Sequence, residues 1–196
     1  PGLLNGTEES MSPEAIEALQ TDIAEARVSN EAHFTAVARI VREAGELDAR
    51  KRGTMAPFPA MFKRLGAKAH LAMLEVLLVE GPARGTLKDT AWHGLRAGLI
   101  EAAGKQRDSR LVAPLAAVLN GPETEHFLIR ASAEALGRVN SDEAAAILIA
   151  AAQNGGLKKG SIWAGMGTCR RAVVATYLAA ELDAATSPEA KKVLAK

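Results

Sequence analysis

The chain has 196 residues, 48% of them hydrophobic but only 4% aromatic, and a formal net charge of +1. That length suits one domain or one small array, and the near-zero charge excludes a global drive towards nucleic acid or an anionic membrane. Alanine and leucine supply most of the apolar content, without the Val, Ile, Thr and aromatic richness that strands prefer, so closely packed helices are expected.

Pro1 to Glu9 hold little to bury, and residues 1–11 are expected to be a disordered or fragmentary N-terminus; the chain starts at Pro1 rather than Met, as a processed or expressed form would. Ser12-Pro13-Glu14 is a helix start: serine caps, proline suits the first turn, and a glutamate opposes the helix dipole. Ile16, Leu19, Ile23 and Ala26 follow at helical spacing. Asn30 reads as the next cap, and Phe34, Val37, Ile40 and Val41 as the stripe of a second helix that stops at Gly45. Arg50-Lys51-Arg52-Gly53 is a basic connector. From Pro59 a short helix (Met61, Phe62, Leu65) runs to Gly66, and a longer one (Leu71, Leu74, Leu77, Leu78) ends at Gly81-Pro82. Thr86 or Asp89 starts the next, which carries Trp92, Leu95, Leu99 and Ile100 and closes at Gly104. Asp108 opens a helix to Leu119, Phe127 to Gly137 is its partner, and Asp142 starts another through Leu148. A glycine-rich stretch at 154–167 separates these from a helix at Arg170 to Leu182 and a short terminal one behind Ser187-Pro188-Glu189.

An internal repeat emerges from the spacing. Glu134-Ala135-Leu136-Gly137 lies over Glu101-Ala102-Ala103-Gly104 at an offset of 33 residues, with Asp142 and Asp108 following each glycine. Glu43-Ala44-Gly45 is a weaker third copy. Each glycine is read as the left-handed exit from a helix and each Asp as the cap of the next. A helix pair of this kind cannot bury its apolar face alone, so repeats stack into one core.

The segment Asp108-Ser109-Arg110-Leu111-Val112-Ala113-Pro114-Leu115, with Ile129-Arg130-Ala131-Ser132-Ala133-Glu134-Ala135-Leu136-Gly137 behind it, resembles a HEAT repeat of the short kind seen in the phycobilisome-lyase class. The resemblance is specific over residues 108–137 and looser over 66–104 and 142–182. It implies an all-α, right-handed α-α superhelix of about four antiparallel helix pairs, with 12–196 as a single solenoid domain and 154–167 as an insertion. It further implies an interaction scaffold, not an enzyme, that binds a protein partner on its concave face. Nucleic-acid binding, or a lyase-like accessory role, is the alternative.

The candidate partner-binding residues are Trp92, Arg96, Arg130, Lys158, Lys159, Trp163, Arg170 and Arg171. Trp92 and Arg96 are four apart and share a helix face, with Trp92 read as core. Arg130 takes the family's Arg position and is expected to bond Asp108 or Asp142; exposed, Arg96, Arg130 and Arg170 would form a basic ladder. Trp163, between glycines in the insertion, is either a packed plug or offered to a partner. Gly155-Gly156-Leu157-Lys158-Lys159-Gly160-Ser161 lacks the residue order of a phosphate loop and has no leading strand, so it reads as a flexible connection. No two of His33, His70, His93 and His126 stand at helical ligand spacing, so neither metal nor cofactor is expected. Cys169 is the only cysteine and reads as a small buried residue. Without a partner for a disulfide it fits a reducing, cytoplasmic setting, and no run approaches the roughly 18 apolar residues of a membrane span. By region, residues 51–100 carry 8 basic and 3 acidic side chains and residues 151–196 carry 7 and 3, whereas 1–50 carry 4 and 10. These read as ordinary solvated faces.

Overall fold

The structure, a computed structural model, describes residues 1–4 and 7–195. Among the described residues there is no strand, and no helix is long and apolar enough to cross a membrane. The helices fall into two compact units, residues 1–106 and 107–196.

In the first unit a short α1 (Thr7–Ser10) precedes α2 (Pro13–Ser29), where Ser12 Oγ accepts the Ala15 amide at 3.2 Å and Leu19 and Ile23 face the core. Asn30 does not cap α3 (Glu31–Arg42); its side chain donates instead to Ser29 Oγ. Nor does Gly45 end that helix. The chain turns at Glu43, and Gly45 lies inside α4 (Ala44–Ala49). After the basic connector comes α5 (Phe58–Arg64). Gly66, at φ +75°, is a true left-handed exit. α6 (His70–Leu74) then widens into a π-helical turn, Glu75–Val79, and α7 (Asp89–Gly104) completes the unit.

The N-terminal residues do have something to bury. Leu3 and Leu4 are 3% and 2% exposed. Their amides donate to Val76 O and Leu77 O at 3.0 Å each, and the Gly81 amide donates to Pro1 O at 3.1 Å. A helix end leaves its last carbonyls without partners, and the extended segment 1–4 supplies the missing donors at the end of the π turn. Arg96, 4% exposed, donates from Nε to Leu3 O at 3.1 Å and fixes the segment from the other side. Sequence reading saw two leucines among turn formers and no helix; the helix end that receives them is about 70 residues away. The same expectation for Asn5 and Gly6 lies outside the described residues.

In the second unit a 3₁₀ turn (Ser109–Leu111) leads into α8 (Val112–Asn120), followed by α9 (His126–Val139) and α10 (Asp142–Asn154). The stretch 154–167 is not a flexible insertion. After a 3₁₀ turn (Gly156–Lys158) it forms α11 (Lys159–Met166), with Ile162, Gly165 and Met166 buried. α12 (Ala172–Ala184) and α13 (Pro188–Leu194) follow, the latter capped by Ser187 Oγ. α11 makes the most extensive helix–helix contact of the unit, and it makes it with α9.

That contact explains the glycines. A Cβ on Gly165 would stand 2.5 Å from the Ala133 Cβ and 2.8 Å from both Arg130 O and Glu134 N, so the two backbones nearly touch. A Cβ on Gly137 would collide with the Thr168 hydroxyl and lie 3.0 Å from the Cys169 amide. The first unit uses the same device, with Gly94 and Gly98 of α7 pressed against Phe58 of α5. Gly104 and Gly137 therefore lie within helices, and Gly137 serves close packing. The left-handed residues are Arg107 (φ 56°) and Asn140 (φ 60°), themselves 33 positions apart. Each is followed by an N-cap: the Asp108 carboxylate accepts the Arg110 amide at 2.9 Å, and Ser141 Oγ, rather than Asp142, accepts the Ala144 amide at 3.0 Å. The 33-residue offset is thus local backbone geometry as well as letters.

Two glycines of α11 give opposed expectations. Gly160 has nothing within 4 Å of an added Cβ, so Gly160→Ala should be neutral or stabilising by up to about 1 kcal/mol through helix propensity. Gly165→Ala should destabilise by about 1–3 kcal/mol through overpacking. Thermal melts followed by circular dichroism would show this as a fall of roughly 2–12 °C for Gly165→Ala alone; equal melts for the two variants would refute the packing role.

Candidate functional site

The candidate residues separate into two groups. Trp92 and Arg96 share a face of α7 as expected, with the guanidinium carbon 5.9 Å from the indole centroid. Arg96 is nonetheless buried and committed to Leu3 O, so it cannot contribute to a basic ladder at a surface. The remaining six lie in the second unit.

Arg130 bonds neither Asp108 nor Asp142. Its Nε donates to Glu134 Oε1 at 2.8 Å, one turn along its own helix, and the side chain stays 60% exposed. Asp108 is held by Arg110, and Asp142 lies 3.4 Å from Arg171. Lys158 is spent on the end of α8, where its ammonium donates to Leu119 O at 3.3 Å and to Gly121 O. Arg171 Nε donates to Asn140 O at 2.8 Å, and the Arg170 amide donates to Asn140 Oδ1 at 2.8 Å. Asn140 can take the left-handed conformation because its short polar side chain tolerates it, and from there it ties the start of α12 to the end of α9. Cys169 is buried at this turn. Of the basic residues at 158–171, only Arg170 leaves its side chain exposed and unpaired among the described residues.

Trp163 is half-buried as a plug between α11 and α12. Lys159 lies over its ring, Nζ 4.8 Å from the centroid, and reaches Glu181 Oε2 of α12 at 3.0 Å. Tyr177 completes the cluster. Burial pushes its hydroxyl above the usual value, the Trp163 indole opposes that shift, and the Glu181 carboxylate adds to it. Trp163 Nε1 and Tyr177 Oη are both shielded from water without reaching hydrogen-bond geometry. Burial also raises Glu181, but the Lys159 ammonium and the Tyr177 hydroxyl outweigh it and hold the carboxyl below its ordinary 4.5. The cluster clamps α12 to α11 and positions the outer face of α12.

That outer face is what sequence reading missed. Within α12 only Val174 is buried. Ala172, Val173, Ala175, Thr176, Ala179 and Ala180 are exposed, and at 100° per residue they fall on one side. Val173 alone is 55% exposed. The legible signal was AVVATYLAA, nine residues without a charge. Among the described residues no three His, Cys, Asp or Glu side chains converge.

The described residues thus define an all-helical protein with an uncovered apolar helix face beside an aromatic, ion-paired clamp. No family model, curated protein or solved structure matches the chain.

The clamp makes a pH prediction. A carboxyl held below its ordinary value stabilises the fold fully above about pH 4.5 and loses that contribution as the pH falls through its folded value. Because the pair is part-exposed, Glu181→Gln should cost less than about 1 kcal/mol at pH 7. Urea unfolding at pH 7 and at about pH 3 should show that deficit smaller at the lower pH; a deficit equal at both pH values would assign Glu181 a packing role only.

Proposed function

We propose that the chain is a non-catalytic, protein-binding scaffold of the HEAT-like kind, a right-handed α-α superhelix, and that it engages a helical segment of a partner protein on the outer face of α12. The observation that carries this reading is that α12 is uncharged from Ala172 to Ala180 yet buries only Val174. A helix of that composition belongs in a core. Exposed alanine, valine and threonine offer no charge to solvent and permit a second helix to approach closely. Residues of the same size, Ala133 and Gly137, line the face of α9 that α11 and the following turn cover within the chain.

The HEAT-like part of the reading is supported by the repeated backbone: left-handed residues at 107 and 140, N-caps at 108 and 141, small residues where helices meet. A stack of such units exposes an apolar face wherever a terminal unit lacks a cap. The partner need not be basic or acidic, since the face itself is uncharged from Ala172 to Ala180. Nucleic acid is disfavoured because the basic side chains of 158–171 are mostly occupied by carbonyls and carboxylates.

A photo-crosslinking amino acid at Thr176, on the proposed face, should yield a discrete adduct in native lysate. The same group at Leu157, 96% exposed but off the helix face, should not. Ala179→Glu should remove the adduct while leaving the circular dichroism spectrum unchanged. Adducts of equal yield at both positions, or an adduct indifferent to Ala179→Glu, would sink the reading.

A further inference from the structure

The basic connector between α4 and α5 is left unused by the interface just described. It runs over residues 50–57, outside every helix. Its first end is held by Asp48, which is 3% exposed. Asp48 Oδ2 accepts the Lys51 ammonium and the Thr90 hydroxyl at 2.7 Å each, and its shielded Oδ1 has no hydrogen-bond partner. The far end is held by Ala56 and Phe58, both buried. Between these anchors Arg52, Gly53 and Thr54 are exposed. Among the described residues, 52–55 form no hydrogen bond and no ion pair. A Cβ on Gly53 would meet nothing within 4 Å.

An endoprotease takes its substrate as an extended strand, pairing with the backbone on both sides of the bond it cuts. That requires free amides and carbonyls, and a side chain before the bond that can enter a pocket. Exposed connectors with small or polar residues meet the requirement best. The Arg52–Gly53 bond has a free cation before it and an unobstructed small residue after it.

The chain holds four further pairs of adjacent basic residues, and the fold occupies each. Lys63-Arg64 closes α5, with Lys63 on Glu101 at 2.8 Å. Lys158 reaches Leu119 O, and Lys159 lies in α11 paired with Glu181. Arg170-Arg171 is pinned by Asn140 through the Arg170 amide and the Arg171 guanidinium. Lys191-Lys192 lies within α13. Single basic residues in connectors are constrained too. The Leu87 amide donates to Arg84 O at 3.1 Å and closes a turn there. Arg107 is left-handed, at φ 56°, and precedes an acidic residue.

We propose that the Arg52–Gly53 peptide bond is a processing site for a trypsin-like endoprotease, and that the cut chain stays assembled. Hydrolysis consumes one water. Its oxygen bonds to the Arg52 carbonyl carbon, the C–N bond breaks, and both its protons end on the Gly53 nitrogen. The products are a carboxylate on Arg52 and an ammonium on Gly53. Residues 1–52 remain attached to the rest of the first unit. Leu3 and Leu4 are sunk against the π turn, Arg27 pairs with Glu75, and Asp48 accepts from Thr90. The site lies wholly in the first unit and stands apart from the α12 reading.

The test treats the full chain with a low ratio of trypsin at neutral pH, read by intact mass and size exclusion. The first products should be residues 1–52 and 53–196, eluting together at the volume of the uncut chain until denaturant is added. Arg52→Gln should slow the first cut at least about tenfold, since the protease pocket loses its cation. Gly53→Pro keeps every charge and should block the same bond, because the ring removes the amide N–H and restricts Arg52. Both positions are exposed, so circular dichroism melts of the two variants should match the parent, and a lost cut then reports recognition. A first cut at any other bond, or Arg52→Gln cut at the parental rate, overturns the site. Fragments that elute apart without denaturant overturn the assembled product.

Discussion

Backbone proximity between helices governs this fold. With only 4% aromatic residues, the chain cannot fill wide inter-helix spaces with large rings, and alanine buries little area on its own. Dispersion recovers the difference only when helix axes come close, because each atom pair contributes about 0.1–0.2 kcal/mol and a gap of about an ångström forfeits roughly a quarter to a half of it. Gly165 against Ala133, Gly137 against Thr168, and Gly94 with Gly98 against Phe58 are the places where that closeness is achieved. At each, one side has no Cβ; Gly165 and Gly137 meet backbone or a small group, and Gly94 meets the Phe58 ring. Leucines then fill the flanks: Leu95 and Leu99 beside the glycines of α7, Leu128 and Leu136 beside the contact face of α9.

Closeness of this kind also sets the loops. Once α9 and α11 are pressed together, the chain leaving α9 must turn sharply, and Asn140 does so in the left-handed region. Its side chain and carbonyl then hold the Arg170 amide and the Arg171 guanidinium, which sets the angle at which α12 leaves. The Lys159–Trp163–Tyr177–Glu181 cluster secures the other side of α12. α12, in which only Val174 is buried, is thus tied at its start and along one flank as well as by its contacts with α10 and α13. Its outer face is therefore fixed in position without being consumed by the core.

Helical periodicity made most elements legible: the starts at Ser12 and Ser187, the stripe Phe34, Val37 and Ile40, and the end of α7 at Gly104 all follow from 3.6-residue spacing and cap chemistry. The errors share a cause. Gly45 and Gly137 read as helix exits because a glycine among alanines looks the same whether its missing side chain frees φ or admits a neighbour, and only the neighbour distinguishes them. The glycine-rich stretch at 154–167 failed for the same reason. Five glycines in its 14 residues resemble a linker by propensity, but Ile162 and Met166, at i and i+4, are buried on the helix that packs against α9. Leu3 and Leu4, and the pairing of Arg96 with Leu3, depend on partners distant in sequence that no local pattern encodes.

Several of the cationic candidate residues are occupied within the fold. Arg96, Lys158 and Arg171 satisfy carbonyl oxygens within the fold, because a helix end close to another backbone leaves acceptors that water cannot reach and a long cationic side chain can. In a fold built on close approach, basic residues near helix ends are the default caps for those acceptors. In two places the local rule is broken in the other direction. One is an apolar face exposed where charge is expected, along α12. The other is a carboxylate buried where a donor is expected, at Asp48. Both are mismatches between composition and environment.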